Sequence, residues 1–278
     1  MRPLTLCAAA LIGAASLPLQ APAQSPSGSA QRIVQLDTRS IPQVPFGPGE
    51  RAEYAVSLGL FGNVGEGSME VVGIEDVHGH PTYHLRFDLE GGIPFASVDT
   101  RLESWLDVQE LFARRIHKDQ HEVNYRRDAW YDFFPDSMFY QRRESGATDT
   151  LASPEPLDEV SFLYFVRTLP LDVGETYTFN RYYKESGNPV TIQVLRREMM
   201  TGADGSEIPV VVVQPIIETS GLFGQGGEAE VYFTDDWRRI LVRMTSKVPV
   251  IGRLGLTLKG YTPGERLTAL PTPDDDAR

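Results

Sequence analysis

The stretch from Thr82 to Glu90, TYHLRFDLE, carries the pattern that decides the fold class. Apolar residues occupy every second position, and polar residues occupy the positions between them. The apolar set is Tyr83, Leu85, Phe87 and Leu89. Because successive side chains of a β-strand point to opposite faces of a sheet, this period of two predicts a strand with one buried face.

The same alternation occurs elsewhere in the chain. The even positions are apolar in residues 52–60, and Leu254, Leu256 and Leu258 alternate with polar residues or glycine near the end. Turn sequences rich in glycine, asparagine and aspartate separate these runs at spacings that suit β-hairpins. The sequence therefore predicts a mainly β protein, built as an antiparallel β-meander of roughly ten to twelve strands.

One segment departs from the period of two. Residues 157–168 have acidic residues early, at Asp158 and Glu159, a basic residue late, at Arg167, and a proline soon afterwards. Since this charge order complements the helix dipole, the segment predicts an α-helix over 157–168. Its residues are apolar nearly all round, and we therefore expect one central helix, buried against the sheet.

A weak internal repeat relates the two halves. Gly49-Glu50 precedes Tyr54 in the first half, and Gly174-Glu175 precedes Tyr177 in the second. The offset is roughly 125 residues. We expect two related meanders joined by the helix within one β domain over 46–262, with chance similarity between two strand-rich halves as the alternative.

The two ends of the chain have the composition of targeting and connecting segments. Residues 1–23 combine one positive charge, a short apolar run and Ala21-Pro22-Ala23, which predicts a signal peptide cleaved after Ala23; a retained membrane anchor is the alternative. Cleavage would remove the only cysteine, Cys7, and leave a periplasmic or secreted protein. Residues 24–45 predict a flexible linker and 263–278 a disordered acidic tail.

The formal net charge of −12 argues against a nucleic-acid partner, because such partners need a basic surface. After the signal peptide, no apolar run approaches the eighteen or so residues of a membrane-spanning helix. We therefore expect no transmembrane segment in the mature chain.

No set of residues predicts an active site. The pairs His80/His84 and His117/His121 have the spacing of metal ligands on a helix, but on a strand their Cα atoms lie about 13 Å apart, too far for one zinc ion. Acidic pairs such as Glu103 with Asp107, or Asp235 with Asp236, lie at strand ends and turns, where acids are common. We expect no catalytic residue, no metal site and no cofactor.

A glycine-rich loop follows Ser220. It lacks the lysine and hydroxyl residue of a phosphate-binding loop and leads into a strand, so a hairpin loop is the simpler interpretation. Its Leu222 and Phe223 predict an apolar tip that can contact a membrane or a partner protein.

Three segments together resemble a known family: 46–50 with Tyr54, 157–171, and 231–240. The chain is similar over 46–262 to the exported bacterial proteins of the DUF3108 family, although Asp158-Glu159-Val160 stands where that family has Asp-Pro-Leu. The family supplies no activity and no catalytic residues. The resemblance implies a half barrel like that of periplasmic lipoprotein carriers, in which a curved sheet over a buried helix can hold an acyl chain.

Three functions remain as hypotheses. The first is a non-enzymatic carrier of a lipid or other apolar ligand, lined by Tyr54, Phe87, Tyr164 and Phe165 with Arg167 as a charged anchor, unless these side chains fill a solid core. The second is a structural or assembly factor that binds another envelope protein through a sheet edge or the loop at Leu222 and Phe223. The third is a polysaccharide hydrolase. A large empty cavity would favour the carrier, and a filled core with an exposed edge strand would favour the assembly factor.

Overall fold

The computed structural model describes residues 33–34, 43–93, 96–122, 125–216, 229–248 and 252–267. Within them, the strands and the single α-helix are, in chain order, β1 Ile33–Val34, β2 Arg51–Leu58, β3 Gly62–Val77, β4 His80–Ile93, β5 Ala96–Asp107, β6 Ala113–Glu122, β7 Tyr125–Phe134, β8 Phe139–Arg142, β9 Thr148–Thr150, α1 Glu159–Val166, β10 Thr176–Phe179, β11 Val190–Thr201, β12 Glu207–Ile216, β13 Glu230–Thr234, β14 Leu241–Val248 and β15 Gly252–Thr262.

All the described strands belong to one sheet. Their order is β1-β10-β11-β12-β13-β14-β15-β2-β3-β4-β5-β6-β7-β8-β9. The pairs are antiparallel except for β1 with β10, and the two meanders β2–β9 and β10–β15 join where β15 pairs with β2. The predicted antiparallel meander is confirmed. It has more strands than predicted because β1, β8, β9 and β10 are two to four residues long, too short to show a period.

Strand pairing among the described residues does not close the sheet into a barrel. In the described residues β9 forms one edge of the sheet, and the chain beyond it instead contacts the segment after β10. The Leu157 amide donates to the Arg181 carbonyl at 2.6 Å, the Tyr183 amide to the Leu157 carbonyl at 3.1 Å, and the Ala152 amide to the Tyr183 carbonyl at 3.1 Å. We call the line along which 151–157 meets 181–183 the seam.

The predicted helix is confirmed, two residues shorter at each end than 157–168. It begins at Glu159 because Asp158 is its N-cap: the Asp158 carboxylate accepts from the Val160 and Ser161 amides, and the Ser161 hydroxyl in turn accepts from the Asp158 amide. Leu157 is outside the helix because its backbone pairs across the seam. As predicted from its composition, α1 is buried on all sides from Val160 to Val166.

The inner face of the sheet, which packs on α1, carries the main hydrophobic core. Tyr83, Leu85, Phe87 and Leu89 of β4 are all buried there, as their alternation predicts. Each fully buried apolar side chain contributes about 1.5–3 kcal/mol. A smaller apolar cluster lies on the outer face of the second meander and consists of Val210, Val212, Tyr232, Ile240 and Val242.

The ordered fold extends beyond the predicted domain limits of 46 and 262. Val44 and Leu267 both pack against the main core, and the Glu265 amide donates to the Pro48 carbonyl at 2.8 Å. The two chain segments of this contact approach closely at glycines: a Cβ on Gly264 would lie 2.1 Å from the Gly47 carbonyl oxygen. Part of the predicted linker and the first residues of the predicted tail are therefore packed. The predicted signal peptide and the rest of the tail lie outside the described residues.

Candidate functional site

The residues predicted to line a ligand cavity surround very little space. Tyr54, Tyr164 and Arg167 meet at one small cavity of about 10 Å³, which is room for a single water molecule. The Tyr54 hydroxyl donates to the Leu241 carbonyl at 3.1 Å. Phe87 and Phe165 do not line this cavity; both are buried in the core, where the Phe165 ring packs edge-on against Phe179.

Arg167, the predicted charged anchor, is bonded within the protein. Its guanidinium donates to both carboxylate oxygens of Glu50, at 2.5 and 3.0 Å, and to the Pro45 and Arg238 carbonyls at 3.0 Å each. Burial disfavours the charge, but Glu50 offsets this effect and the pKa of Arg167 is raised. The C-terminal end of α1 is thereby tied to the segment before β2 and to the β13–β14 turn.

A second buried ion pair holds the other end of α1. The Lys118 ammonium on β6 donates to both oxygens of Glu159, at 2.8 and 2.7 Å, and the Tyr182 hydroxyl donates to the same carboxylate at 2.8 Å. Burial opposes both charges, yet their mutual attraction prevails: the pKa of Lys118 is raised and the pKa of Glu159 is lowered. Next to them, the Ser104 hydroxyl donates to Asp158 at 2.5 Å.

The larger space lies on the surface at the seam. A groove of about 540 Å³ opens between the end of β9 and the turn at Glu185–Gly187. We call it the seam groove; it is lined by Tyr140, Asp149, Thr150, Leu151, Ala152, Lys184, Glu185 and Ser186. Its volume falls within the range of about 300–1,000 Å³ that is usual for ligand sites.

One wall of the seam groove is an edge strand. In the described residues β9 pairs only with β8, and all three of its side chains are exposed. Asp149 is already engaged, since it accepts from the Tyr140 hydroxyl at 3.0 Å and from the Thr150 amide at 2.8 Å. A three-residue strand with polar side chains is a typical way to keep a sheet edge from pairing indiscriminately.

The opposite wall carries a cation without an acidic partner. The half-buried Lys184 ammonium lies 5.3 Å above the Tyr183 ring, and no carboxylate among the described residues pairs with it. Burial and the nearby charges of Arg127 and Lys118 lower the pKa of Lys184. Arg127 donates to the hydroxyls of Tyr131 and Tyr125, at 2.7 and 3.5 Å, rather than to an acid. The lining of the seam groove therefore combines one cation without an acidic partner, Lys184, with two acidic side chains, Asp149 and Glu185.

The outer face of the first meander carries a row of alternating carboxylates and imidazoles. We call it the outer-face row; it consists of Glu75, His84, Glu103, His117 and Asp128, from β3 to β7 in turn. The two ring nitrogens of His84 lie 2.9 Å from Glu75 and 2.9 Å from Glu103. Those of His117 lie 2.9 Å from Glu103 and 3.0 Å from Asp128.

Tryptophans support both rings of this row. His84 stacks on Trp105 with 4.5 Å between centroids, and His117 stacks on Trp130 at 4.0 Å. Burial alone would raise the pKa of Glu103, but hydrogen bonds from the two histidines and from Arg86 lower it to about 2. Glu103 is thus a buried carboxylate shared by two imidazoles.

The other residues considered for chemistry have structural partners. Asp107 caps a turn through the Gln109 and Glu110 amides and pairs with Arg114. Asp235 pairs with Arg197 and Arg239, while Asp236 pairs with Arg238. The described residues include no group of three or more histidine, cysteine, aspartate or glutamate side chains that could hold a metal ion. Leu222 and Phe223 lie outside the described residues.

Sequence reasoning did not find the seam groove or the outer-face row. The groove forms only because Thr150 and Lys184, far apart in sequence, meet across the seam. The sequence contains part of the information needed to predict the row. His84, Glu103 and His117 occupy outward positions of successive strands, next to Trp105 and Trp130. Singly, such residues are indistinguishable from ordinary solvated strand positions.

Among the described residues, no helix reaches the length and apolar character needed to cross a membrane. A search of curated proteins found no match. Among solved structures, the chain is similar to a β-barrel-like protein of domain of unknown function DUF1849 from Brucella abortus. The two are 11% identical with a TM-score of 0.50 over 79% of this chain and 99% of that one, so the likeness concerns the fold alone.

The sequence model of a family described as "Protein of unknown function (DUF3108)" matches residues 53–259. That range runs from β2 to β15 and includes α1 and the seam. The resemblance noted in the sequence is thereby confirmed, and the chain belongs to the DUF3108 family.

Proposed function

We propose that this protein is a non-enzymatic assembly factor of the cell envelope that binds an extended segment of a partner protein in the seam groove. The observation that carries the proposal is the contrast between two spaces. The interior around α1 has a cavity of about 10 Å³, whereas the groove beside the edge strand β9 has about 540 Å³.

The close packing of the predicted lining residues around a cavity of about 10 Å³ favours surface binding over internal carriage. Ligand sites for molecules of drug size or larger need hundreds of Å³, and the predicted lining residues here pack on one another instead. Both ends of α1 are fixed by buried ion pairs, Arg167 with Glu50 and Lys118 with Glu159. Removing the helix to admit an acyl chain would break both pairs and expose the core.

The seam groove has the parts that recognition of an extended segment requires. An edge strand offers backbone amides and carbonyls to an added strand, and the neighbouring groove receives its alternate side chains. Lys184 favours a segment that brings a carboxylate to its side of the groove, because it has no acidic partner among the described residues; the acidic side chains of the lining, Asp149 and Glu185, lie elsewhere along the groove. The short, polar β9 limits this pairing to segments that also fit the groove.

Site-specific photo-cross-linking in the native cells tests the proposal. A photoreactive residue at Thr150 should capture a defined partner, whereas the same residue at the exposed Thr201, on β11, should not. Lys184→Glu should reduce the capture severalfold, because it replaces the one cation of the lining with a third carboxylate beside Asp149 and Glu185. Lys259→Glu makes the same charge change at an exposed site outside the groove and should leave capture intact. Equal capture at Thr150 and Thr201, or capture insensitive to Lys184→Glu, would refute the proposal.

A lipid carrier is the second candidate, supported by the apolar surface of α1 on all sides and by its position on the inner face of the sheet. It requires α1 to leave the sheet for loading. Purification of the mature protein from its envelope without detergent, followed by mass spectrometry, separates the two proposals. A stoichiometric lipid would favour the carrier, and an apo protein would favour the assembly factor.

A further inference from the structure

The pairing of β8 with β9 determines which backbone groups of β9 face outward. The Leu151 amide donates to the carbonyl just before β8 at 3.0 Å, and the Ala147 carbonyl accepts from the Arg142 amide at 2.8 Å. In an antiparallel pair, residues that bond to the neighbouring strand alternate with residues whose amide and carbonyl point away from it. Thr148 and Thr150 therefore turn their backbone groups away from β8, toward the seam.

Further along the same edge, the outward groups are already paired. Ala152, the next outward residue, donates its amide to the Tyr183 carbonyl at 3.1 Å. The partner chain then continues through Lys184 into the turn at Glu185–Gly187 and so leaves this line. The seam groove lies where β9 continues and its neighbour across the seam turns away.

One outward amide of β9 is occupied by a side chain. The Asp149 carboxylate accepts from the Thr150 amide at 2.8 Å, and its second oxygen accepts from the Tyr140 hydroxyl at 3.0 Å. Tyr140 lies directly opposite Asp149 in the β8–β9 pair and is buried, so that its hydroxyl holds the carboxylate in position. Burial and the neighbouring carboxylate raise the pKa of Tyr140, and its hydroxyl therefore stays protonated as a donor.

We propose that Asp149 is an internal cap on the edge of β9, and that a partner segment must displace its carboxylate from the Thr150 amide in order to pair with this strand. The proposal rests on the proposed binding function, because it concerns access to the same groove. A strand that is added to a sheet edge bonds to the outward amides and carbonyls of that edge. At Thr150 the carbonyl of the segment and the carboxylate of Asp149 compete for one donor.

The cap makes the edge selective. A segment that pairs with β9 replaces the bond between Asp149 and the Thr150 amide instead of adding a new bond, so backbone pairing alone gains little at this residue. A segment that also fills the seam groove gains further contacts that offset the exchange of bonds. Asp149 thus acts together with the short length of β9 against indiscriminate pairing of the sheet edge.

Amide hydrogen exchange in the free protein tests the cap without a partner. Asp149→Ala removes the acceptor, and the Thr150 amide should exchange roughly two- to tenfold faster than in the wild type. Asp149→Asn is the matched control. Its side-chain oxygen still accepts from the Thr150 amide and its nitrogen donates to the Tyr140 hydroxyl oxygen, so the exchange rate should stay near that of the wild type. Both substitutions are made at an exposed side chain of the edge strand, and both proteins should fold.

Photo-cross-linking from the opposite wall of the groove, in the native cells, tests the displacement. A photoreactive residue at the exposed Ser186 leaves residues 149 and 150 unchanged. In this background Asp149→Ala should raise capture of the partner severalfold, whereas Asp149→Asn should capture as the wild type does.

Two results would overturn the proposal. The first is a Thr150 amide that exchanges no faster in Asp149→Ala than in the wild type. The second is an equal rise of capture in Asp149→Ala and Asp149→Asn, because the charge of Asp149 and not its hydrogen bond would then limit binding. If neither the wild type nor Asp149→Ala captures a partner, the proposed binding function is refuted, and the exchange rates alone decide whether Asp149 caps the edge.

Discussion

Arg167, the C-cap residue of α1, donates hydrogen bonds from two guanidinium nitrogens to the carboxylate of Glu50. Both side chains are only 5% exposed. The pair joins the helix to a segment that lies before β2, and the Tyr261 hydroxyl donates to the same carboxylate at 3.0 Å. A residue that the sequence suggests as a ligand anchor is therefore a structural link between the helix and both ends of the sheet domain.

Neutralising one partner of this pair should destabilise the folded protein. Glu50→Gln leaves the Arg167 charge buried without a counter-charge, and we expect the free energy of unfolding to fall by about 3–5 kcal/mol. Denaturant unfolding measures the loss. The double variant Glu50→Leu with Arg167→Met should be less destabilised than Glu50→Gln alone, because it leaves no unpaired charge. A single variant with wild-type stability would contradict the assignment.

Glu103 should contribute to acid sensitivity. Its pKa is lowered from about 4.3 in an unfolded chain to about 2, so the unfolded state binds the proton first as the pH falls. Its contribution to stability is present above about pH 4.3 and is lost progressively toward pH 2. In Glu103→Gln the dependence of unfolding free energy on pH between 5 and 2 should be weaker than in the wild type.

Glu66→Gln is the control for that measurement. Glu66 pairs with Lys259 at 2.9 Å, but its side chain is 75% exposed. An exposed ion pair contributes little to stability, so the pH dependence should stay close to that of the wild type. An identical acid response in the Glu103 and Glu66 variants would mean that the outer-face row does not stabilise the fold.

Because the two ends of the domain are in close contact at Gly264, adding a single methyl group there should lower the stability of the protein. In Gly264→Ala the new Cβ would lie 2.1 Å from the Gly47 carbonyl oxygen and 2.8 Å from the Glu50 amide nitrogen, both of them backbone atoms. The clash should destabilise the protein by about 1–3 kcal/mol and lower its melting temperature.

Gly73→Ala is the matched control, because nothing lies within 4 Å of its added Cβ. Calorimetry should show little change in its melting temperature. If Gly264→Ala has the same melting temperature as Gly73→Ala, the segment 263–267 does not pack on the domain as described.

Local periodicity explains what the sequence predicts well. The alternation in β4 and the charge order of α1 are each properties of a dozen or so consecutive residues, and both elements form as expected. The two-residue difference at the N-terminal end of the helix arises from the Asp158 cap and from the seam pairing of Leu157, which depends on Arg181 and Tyr183. Only the cap has a local sequence signal.

Features that need the register of several strands were not predictable. Glu103 faces His117 directly and His84 diagonally only because β4, β5 and β6 pair in one particular register. The seam groove similarly requires the edge of the first meander to meet the start of the second. Arg167 shows the same limit, because its partner Glu50 is 117 residues away.

The central claim is that a partner segment binds in the seam groove. Hydrogen exchange with and without the partner captured at Thr150 tests this claim most directly. The account predicts slower exchange of backbone amides at 148–152 and 183–187, the walls of the seam groove, with no change in α1. Unchanged exchange at those walls together with faster exchange over Glu159–Val166 would contradict it, because the helix would then be opening the interior to a ligand.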